Sequence, residues 1–92
     1  MTVYVDDLVY WRHTKRSWCH CASDLPGDAG LQELHALADK IGAKREWFQN
    51  RLYLPHYDLQ PRLRSLAILC GAIAVDGIEL VRKCSTAPYL KK

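Results

Sequence analysis

The sequence predicts a small α/β domain: a partly parallel sheet of three or four strands with two main helices. Three observations carry this. First, a ten-residue phrase occurs twice, as Leu34-His-Ala-Leu-Ala-Asp-Lys-Ile-Gly-Ala43 and as Leu63-Arg-Ser-Leu-Ala-Ile-Leu-Cys-Gly-Ala72. Each copy has helical spacing, stops at a glycine and runs into an apolar segment, Trp47-Phe48 or Ile73-Ala-Val75, as a helix-to-strand unit does. Second, the segments before the first copy alternate with the period of strands. Third, 92 residues suffice for one domain with a modest core, which a homodimer would enlarge. The expected order is β-β-α-β-α-β-(α). A helix between strands supports parallel pairing, because parallel neighbours need a crossover. If the first two strands form a hairpin instead, the sheet is α+β.

Thr2 to Asp6 reads as the first strand, with Val3 and Val5 alternating about Tyr4. Val9-Tyr10-Trp11 extends or follows it, and Arg12 to Ser17 is a polar, basic loop. Trp18 to Ser23 is a second strand, with Trp18, His20 and Ala22 on one face and Cys19, Cys21 and Ser23 on the other. Asp24-Leu-Pro-Gly-Asp28 is a turn. The first helix runs from about Gly30 to Ile41, its stripe formed by Leu31, Leu34, Ala38 and Ile41, with Asp28 as its cap and Gly42 as its stop. Arg45 to Gln49 is a short strand or tight turn, and Asn50 to Asp58 a loop. The second helix starts at Pro61, a favoured first position, and its apolar end, Leu66 to Cys70, predicts a central place with Cys70 buried. Ile73 to Val75 is a strand. Asp76-Gly77 signals a hairpin, but Asp76 with Glu79 also forms a capping box, and a last helix from Gly77 to Lys83 is preferred. The domain is expected to span 1–85, with 86–92 a flexible tail.

A net charge of +3 permits an anionic partner without demanding one. The N-terminus has no basic-then-apolar signal, and the longest apolar run, Leu66 to Val75, is too short to span a bilayer, so a cytoplasmic protein is expected. Its four cysteines are then reduced thiols.

Val3-Tyr-Val-Asp-Asp7, Glu33-Leu-His-Ala-Leu-Ala-Asp-Lys-Ile-Gly42 and Pro55-His-Tyr-Asp-Leu59, in this order, resemble a group of small bacterial and bacteriophage proteins known as domain of unknown function 4031. The resemblance extends from Thr2 to about Val81. It brings no activity with it. It implies an intracellular setting and is compatible with a phage origin.

Four constellations can carry chemistry. Asp6 and Asp7 end the first strand, where ligands of open α/β sheets gather. If His20, His56 and Asp58 share that edge, the cluster suits Mg²⁺ or Mn²⁺, or metal-free acid–base chemistry on a phosphate ester. Equally, these residues satisfy turn amides and shape a loop. Cys19-His20-Cys21, completed by His35 or Cys84, is a poor zinc site, because in a strand the two thiols share a face that His20 leaves. A Cys19 or Cys21 nucleophile with His56 as base has no supporting motif. His35 sits at the edge of the first helix's stripe, within reach of the Asp6 edge or satisfied at the boundary of the core. Finally, Arg12, His13, Lys15 and Arg16 lie between Trp11 and Trp18, Arg45 and Arg51 flank Trp47-Phe-Gln49, and Arg62 and Arg64 sit in the first turn of the second helix, where amides favour an anion; cations interleaved with aromatics can hold a nucleic-acid strand. No phosphate loop, dinucleotide fingerprint or nucleophile elbow is present.

The leading expectation is a protein acting on a nucleotide or nucleic acid. Asp6 and Asp7 are metal ligands or general base, His56 is an acid–base group or a ligand with Asp58 as its orienting partner, and His20 is a further ligand. Arg62, Arg64, Gln49 and Tyr57 contact substrate. The competing expectation is a non-catalytic module that binds a host protein through Tyr10, Trp11, Trp47 and Tyr53. The sequence leaves open whether this is an enzyme.

Overall fold

The structure is a computed structural model that describes residues 2–87. Among these, six strands form one mixed sheet: β1 (Val3–Val5), β2 (Val9–Trp11), β3 (Arg16–Ser23), β4 (Phe48–Gln49), β5 (His56–Leu59) and β6 (Ile73–Ala74). The helices are α1 (Gly27–Ile41), α2 (Pro61–Leu69) and α3 (Gly77–Cys84), and a 3-10 turn, Arg45–Trp47, precedes β4. The sheet order is β4-β5-β3-β1-β6, with β2 paired to the outer half of β3. The α/β class and the single domain follow directly.

The strand number exceeds three or four because Val9–Trp11 is a strand of its own, separated from β1 by Asp6 to Leu8, and because His56–Leu59 adds another. The largest correction concerns 56–58. They form a strand, not a loop, and β5 lies against β3, with Tyr57 and Leu59 fully buried. Only β1–β6 is parallel among the described residues; the first helix leads instead to β4, which runs antiparallel to β5. β1 and β3 are antiparallel, as the hairpin alternative requires.

The repeated phrase encodes a helix stop. In both copies the glycine is left-handed, Gly42 at φ 83 and Gly71 at φ 107. The following alanine N–H then reaches back to a helical carbonyl, Ala43 to Ala38 and Ala72 to Ala67, each at 2.9 Å. This 6→1 closure satisfies carbonyls that the helix end would leave bare, and it buries the small residues at both ends of the bond. Beyond the stop the two copies diverge: only the second delivers a strand to β1.

Leu34, Ala38 and Ile41 of α1 and Leu63 and Ala67 of α2 cover one face of the sheet, against Val3, Val5, Cys19, Cys21, Tyr57 and Leu59. The other face is only half covered. There α3 packs Leu80 and Cys84 on Ala22, with Tyr4, Leu54 and Val75 beside them. Asp76 caps α3, its carboxylate accepting the Glu79 N–H at 2.8 Å, so the capping box prevails over the hairpin. Asp28 does not cap α1. It lies inside the first turn, and Pro26 takes the cap position. The end of α2 is not central either: Ile68, Leu69 and Cys70 are exposed, Leu69 at 81%. Its stop brings the chain onto an edge strand, β6, which leaves that end of the helix uncovered. Thr86 and Ala87 are held, the first donating to the Tyr53 carbonyl at 2.8 Å and the second buried. The rest of the expected tail, 88–92, lies outside the described residues. No helix among the described residues is long and apolar enough to cross a membrane.

Candidate functional site

The site begins with a bulge. Val5 pairs with Cys21 and Val9 with Trp18, so three residues, Asp6 to Leu8, face only Cys19 and His20. An extra residue bends a strand and re-aims a side chain. Here it turns the Asp6 carboxylate back onto β3. One oxygen accepts the His20 N–H at 2.6 Å and the other meets His20 Nδ1 at 2.8 Å. The Asp6 carbonyl accepts Arg64 Nε at 2.8 Å. The bulge is thus pinned from two sides, and Asp6 is only 6% exposed.

The register of three strands builds the rest. Asp58 of β5 lies opposite His20 of β3, and His56 lies opposite Gln49 of β4. Residues two apart on a strand share a face, so His56 and Asp58 both point away from α1 and α2, beside His20. The two imidazoles meet edge to face at 4.8 Å, and His56 Nε2 lies 3.5 Å from Asp58 Oδ1. Among the described residues, His20, His56 and Asp58 are the group whose ligand atoms converge, all within 4.8 Å of one another.

Both rings are oriented by their Nδ1 atoms. His56 Nδ1 lies 2.8 Å from the Leu54 carbonyl, which only accepts, so the neutral ring carries its proton there. The Asp6 carboxylate imposes the same tautomer on His20. In each neutral ring Nε2 keeps its lone pair. This second hydrogen bond is the support that metal-binding histidines commonly have. The bond from Asp6 also raises the His20 pKa above its ordinary value; partial burial opposes the rise, and the charges of Asp6 and Asp58 add to it.

The triad lies in an open cleft of about 620 Å³. Trp11, Trp18, Trp47, Gln49 and Arg51 share its walls, and the β2–β3 turn forms part of its rim through His13 and Thr14. Of the residues that the sequence offers as candidates, His20, His56, Asp58 and Gln49 come together, on one face and not at a sheet edge. Asp6 touches the triad only through His20. Asp7 is exposed outside the cleft lining. Tyr57 points into the core face, where its hydroxyl meets His35 Nδ1 at 2.7 Å. Arg62 is exposed and Arg64 is engaged at Asp6, and neither lines the cleft. Arg51 does, as one of the two arginines flanking Trp47-Phe-Gln49 that the interleaving of cations with aromatics singles out. The signal for the triad is His-x-Asp at 56 and 58, legible only if those residues are read as a strand.

Cys19 and Cys21 face the core, away from the His20 ring, so they do not converge with it. Burial, and then the Asp6 charge, push the Cys19 thiol up to about 12, and burial drives Cys21 up as well. Neither is a nucleophile at neutral pH. A thiol reagent at mildly alkaline pH is expected to modify Cys70 in the native protein, and Cys19, Cys21 and Cys84 only on unfolding. Native labelling of Cys19 or Cys21 at the Cys70 rate would contradict their burial.

His35 lies on the α1 side of the sheet, not toward Asp6. Burial, then the Arg45 charge, lower its pKa below the ordinary 6.5. The folded protein therefore binds that proton more weakly than the unfolded chain. Its contribution to stability is complete above 6.5 and is lost as the pH falls through 6.5 toward the lowered folded value. The melting temperature of the wild type relative to His35→Gln should drop on acidification. A difference that stays flat or rises refutes this.

A family model described as a protein of unknown function (DUF4031) matches residues 3–87, nearly the whole chain. No curated protein and no solved structure matches it.

Proposed function

We propose that this chain, which belongs to the DUF4031 family, binds one divalent metal ion through His20 Nε2, His56 Nε2 and the Asp58 carboxylate and uses it to hydrolyse a phosphate ester. The observation that carries this reading is the convergence of the three groups within 4.8 Å, with both Nδ1 atoms already occupied. Ligands about 2.1 Å from a tetrahedral ion lie roughly 3.4 Å apart, and His56 and Asp58 stand at 3.5 Å. Two imidazoles and one carboxylate suit Mn²⁺ or Zn²⁺ better than Mg²⁺, which prefers oxygen.

Three protein ligands leave positions open for water and a phosphoryl oxygen. A metal held by these three residues would lower the pKa of a bound water toward neutrality and so supply hydroxide for attack on phosphorus. The hydroxide oxygen would bond to phosphorus as the ester P–O bond breaks, the water's released proton passing to solvent and the departing oxygen taking one up from solvent. Arg51, on the cleft wall, supplies positive charge toward the phosphate. Asp6 is a positioning residue: it holds the His20 ring and strengthens it as a donor.

The test is metal binding by calorimetry together with hydrolysis of a chromogenic phosphodiester. One equivalent of Mn²⁺ or Zn²⁺ and metal-dependent turnover are expected. No binding at millimolar metal ends this reading. The exposed residues Val9, Tyr10 and Trp11 of β2 favour a second one, a non-catalytic module that docks a protein partner through this strand. A stoichiometric complex unaffected by His56→Ala would point to it.

A further inference from the structure

We infer that the ligand of this cleft is single-stranded nucleic acid, and that an unpaired base beside the reacting phosphate stacks on its tryptophan wall. The inference rests on the metal-site reading and adds the substrate class. All three tryptophans of the chain line the same cleft as His20, His56 and Asp58. Metal-assisted hydrolysis of a small phosphate ester needs no such wall.

The indoles are held in place. Trp18 Nε1 donates to Thr14 Oγ1 at 3.0 Å, Trp47 meets Trp18 edge to face at 6.0 Å, and the Lys44 ammonium lies over Trp47 at 5.6 Å. Trp11 stands against His13 at 5.8 Å and remains half exposed. Fixed aromatic faces take any base, because every base has a π-face, and they take it only when its neighbours or partner do not already cover it. A duplex offers no free face.

Charge extends the site beyond one nucleotide. Arg51 lines the cleft, while Arg12 and Lys15 stand exposed on the turn whose His13 and Thr14 form the rim. A free nucleotide brings no phosphate beyond its own to that turn. A strand passing through the cleft brings further phosphates to it. The metal would sit at His20, His56 and Asp58 on the cleft lining and meet the reacting phosphate there, leaving the neighbouring phosphates to these cations.

The experiment follows tryptophan fluorescence in protein kept metal-free with a chelator. The probes are a short oligothymidylate, an abasic strand of the same length, and thymidine monophosphate. The oligothymidylate should quench the fluorescence and bind at least tenfold tighter than either of the others, more weakly as salt rises. Trp18→Ala should cost about 5- to 150-fold, the worth of one base stack. Trp11→Ala, at an exposed position outside the core, should weaken binding in the same direction. Equal binding of the abasic strand leaves charge alone and overturns the stacking. Equal binding of the monophosphate overturns the strand. No loss in Trp11→Ala and in folded Trp18→Ala removes the wall from the site. Metal binding is measured separately: a strand bound without any metal site overturns the hydrolytic reading alone, and a metal site without strand binding overturns this inference alone.

Discussion

Asp58→Asn and His56→Ala are expected to abolish the thermal stabilisation that Mn²⁺ or Zn²⁺ gives the wild type. At a hundredfold excess over its Kd, a ligand adds about 2.7 kcal/mol to folding. In a domain of this size that raises the melting temperature by roughly 10–20 °C. Removing one of three ligands leaves a two-point site that holds a metal poorly. The two variants differ in what else they remove. His56 is buried and its ring holds the Leu54 carbonyl, so its alanine variant also melts lower without metal. Asp58 is about one-third exposed and asparagine keeps its shape, so that variant should fold like the wild type and lose only the metal response. Asp6→Asn is expected to be graded: a supporting partner of a metal-bound histidine is worth about 10- to 100-fold in affinity. If Asp58→Asn keeps the full shift, the ion sits elsewhere. If Asp6→Asn is as severe as losing a ligand, Asp6 binds the metal directly, as the sequence alone suggests.

Gly30→Ala should destabilise the fold by about 1–3 kcal/mol, the usual cost of overpacking, and lower the melting temperature by roughly 5–20 °C. Helix propensity argues the opposite. Gly30 lies inside α1, where alanine is favoured over glycine by about 1 kcal/mol. A Cβ at this position, however, would overlap the Leu25 carbonyl oxygen. The turn before α1 folds back onto the helix's first turns, and the contact is with backbone, which cannot rotate aside. The steric cost therefore exceeds the propensity gain. Circular dichroism melts of the two proteins decide the sign: an unchanged or higher melting temperature means the turn gives way easily.

The metal response depends on contacts between segments distant in sequence, whereas most of the fold is written locally. The helix stops at Gly42 and Gly71, the α1 stripe, the capping box at Asp76 and the alternation of β3 each depend on residues within one or two turns of one another, so pattern and capping chemistry suffice. The segment 56–59 does not read as a strand, because Pro55 and Asp58 are poor strand formers taken locally. In the fold, pairing with β3 and burial of Tyr57 and Leu59 outweigh that preference. The end of α2 fails in the opposite direction: apolar residues predict burial only where another element covers them, and none among the described residues covers Leu69.

The sequence by itself determined the α/β class, the helices with their approximate boundaries, and the residue types from which a site could be made. Helical and strand periodicity and glycine stops act over a few residues, and a chain reveals them one segment at a time. Only the tertiary structure decided that His20, His56 and Asp58 meet while Asp7, Tyr57, Arg62 and Arg64 stand apart from the cleft. It alone placed Asp6 behind the His20 ring, and it put the tryptophans on the same wall. The reason is register. One residue of bulge at Asp6 to Leu8 and one choice of pairing between β3 and β5 set which side chains face each other. A shift by a single residue would send the same histidines and aspartate to opposite faces of the sheet.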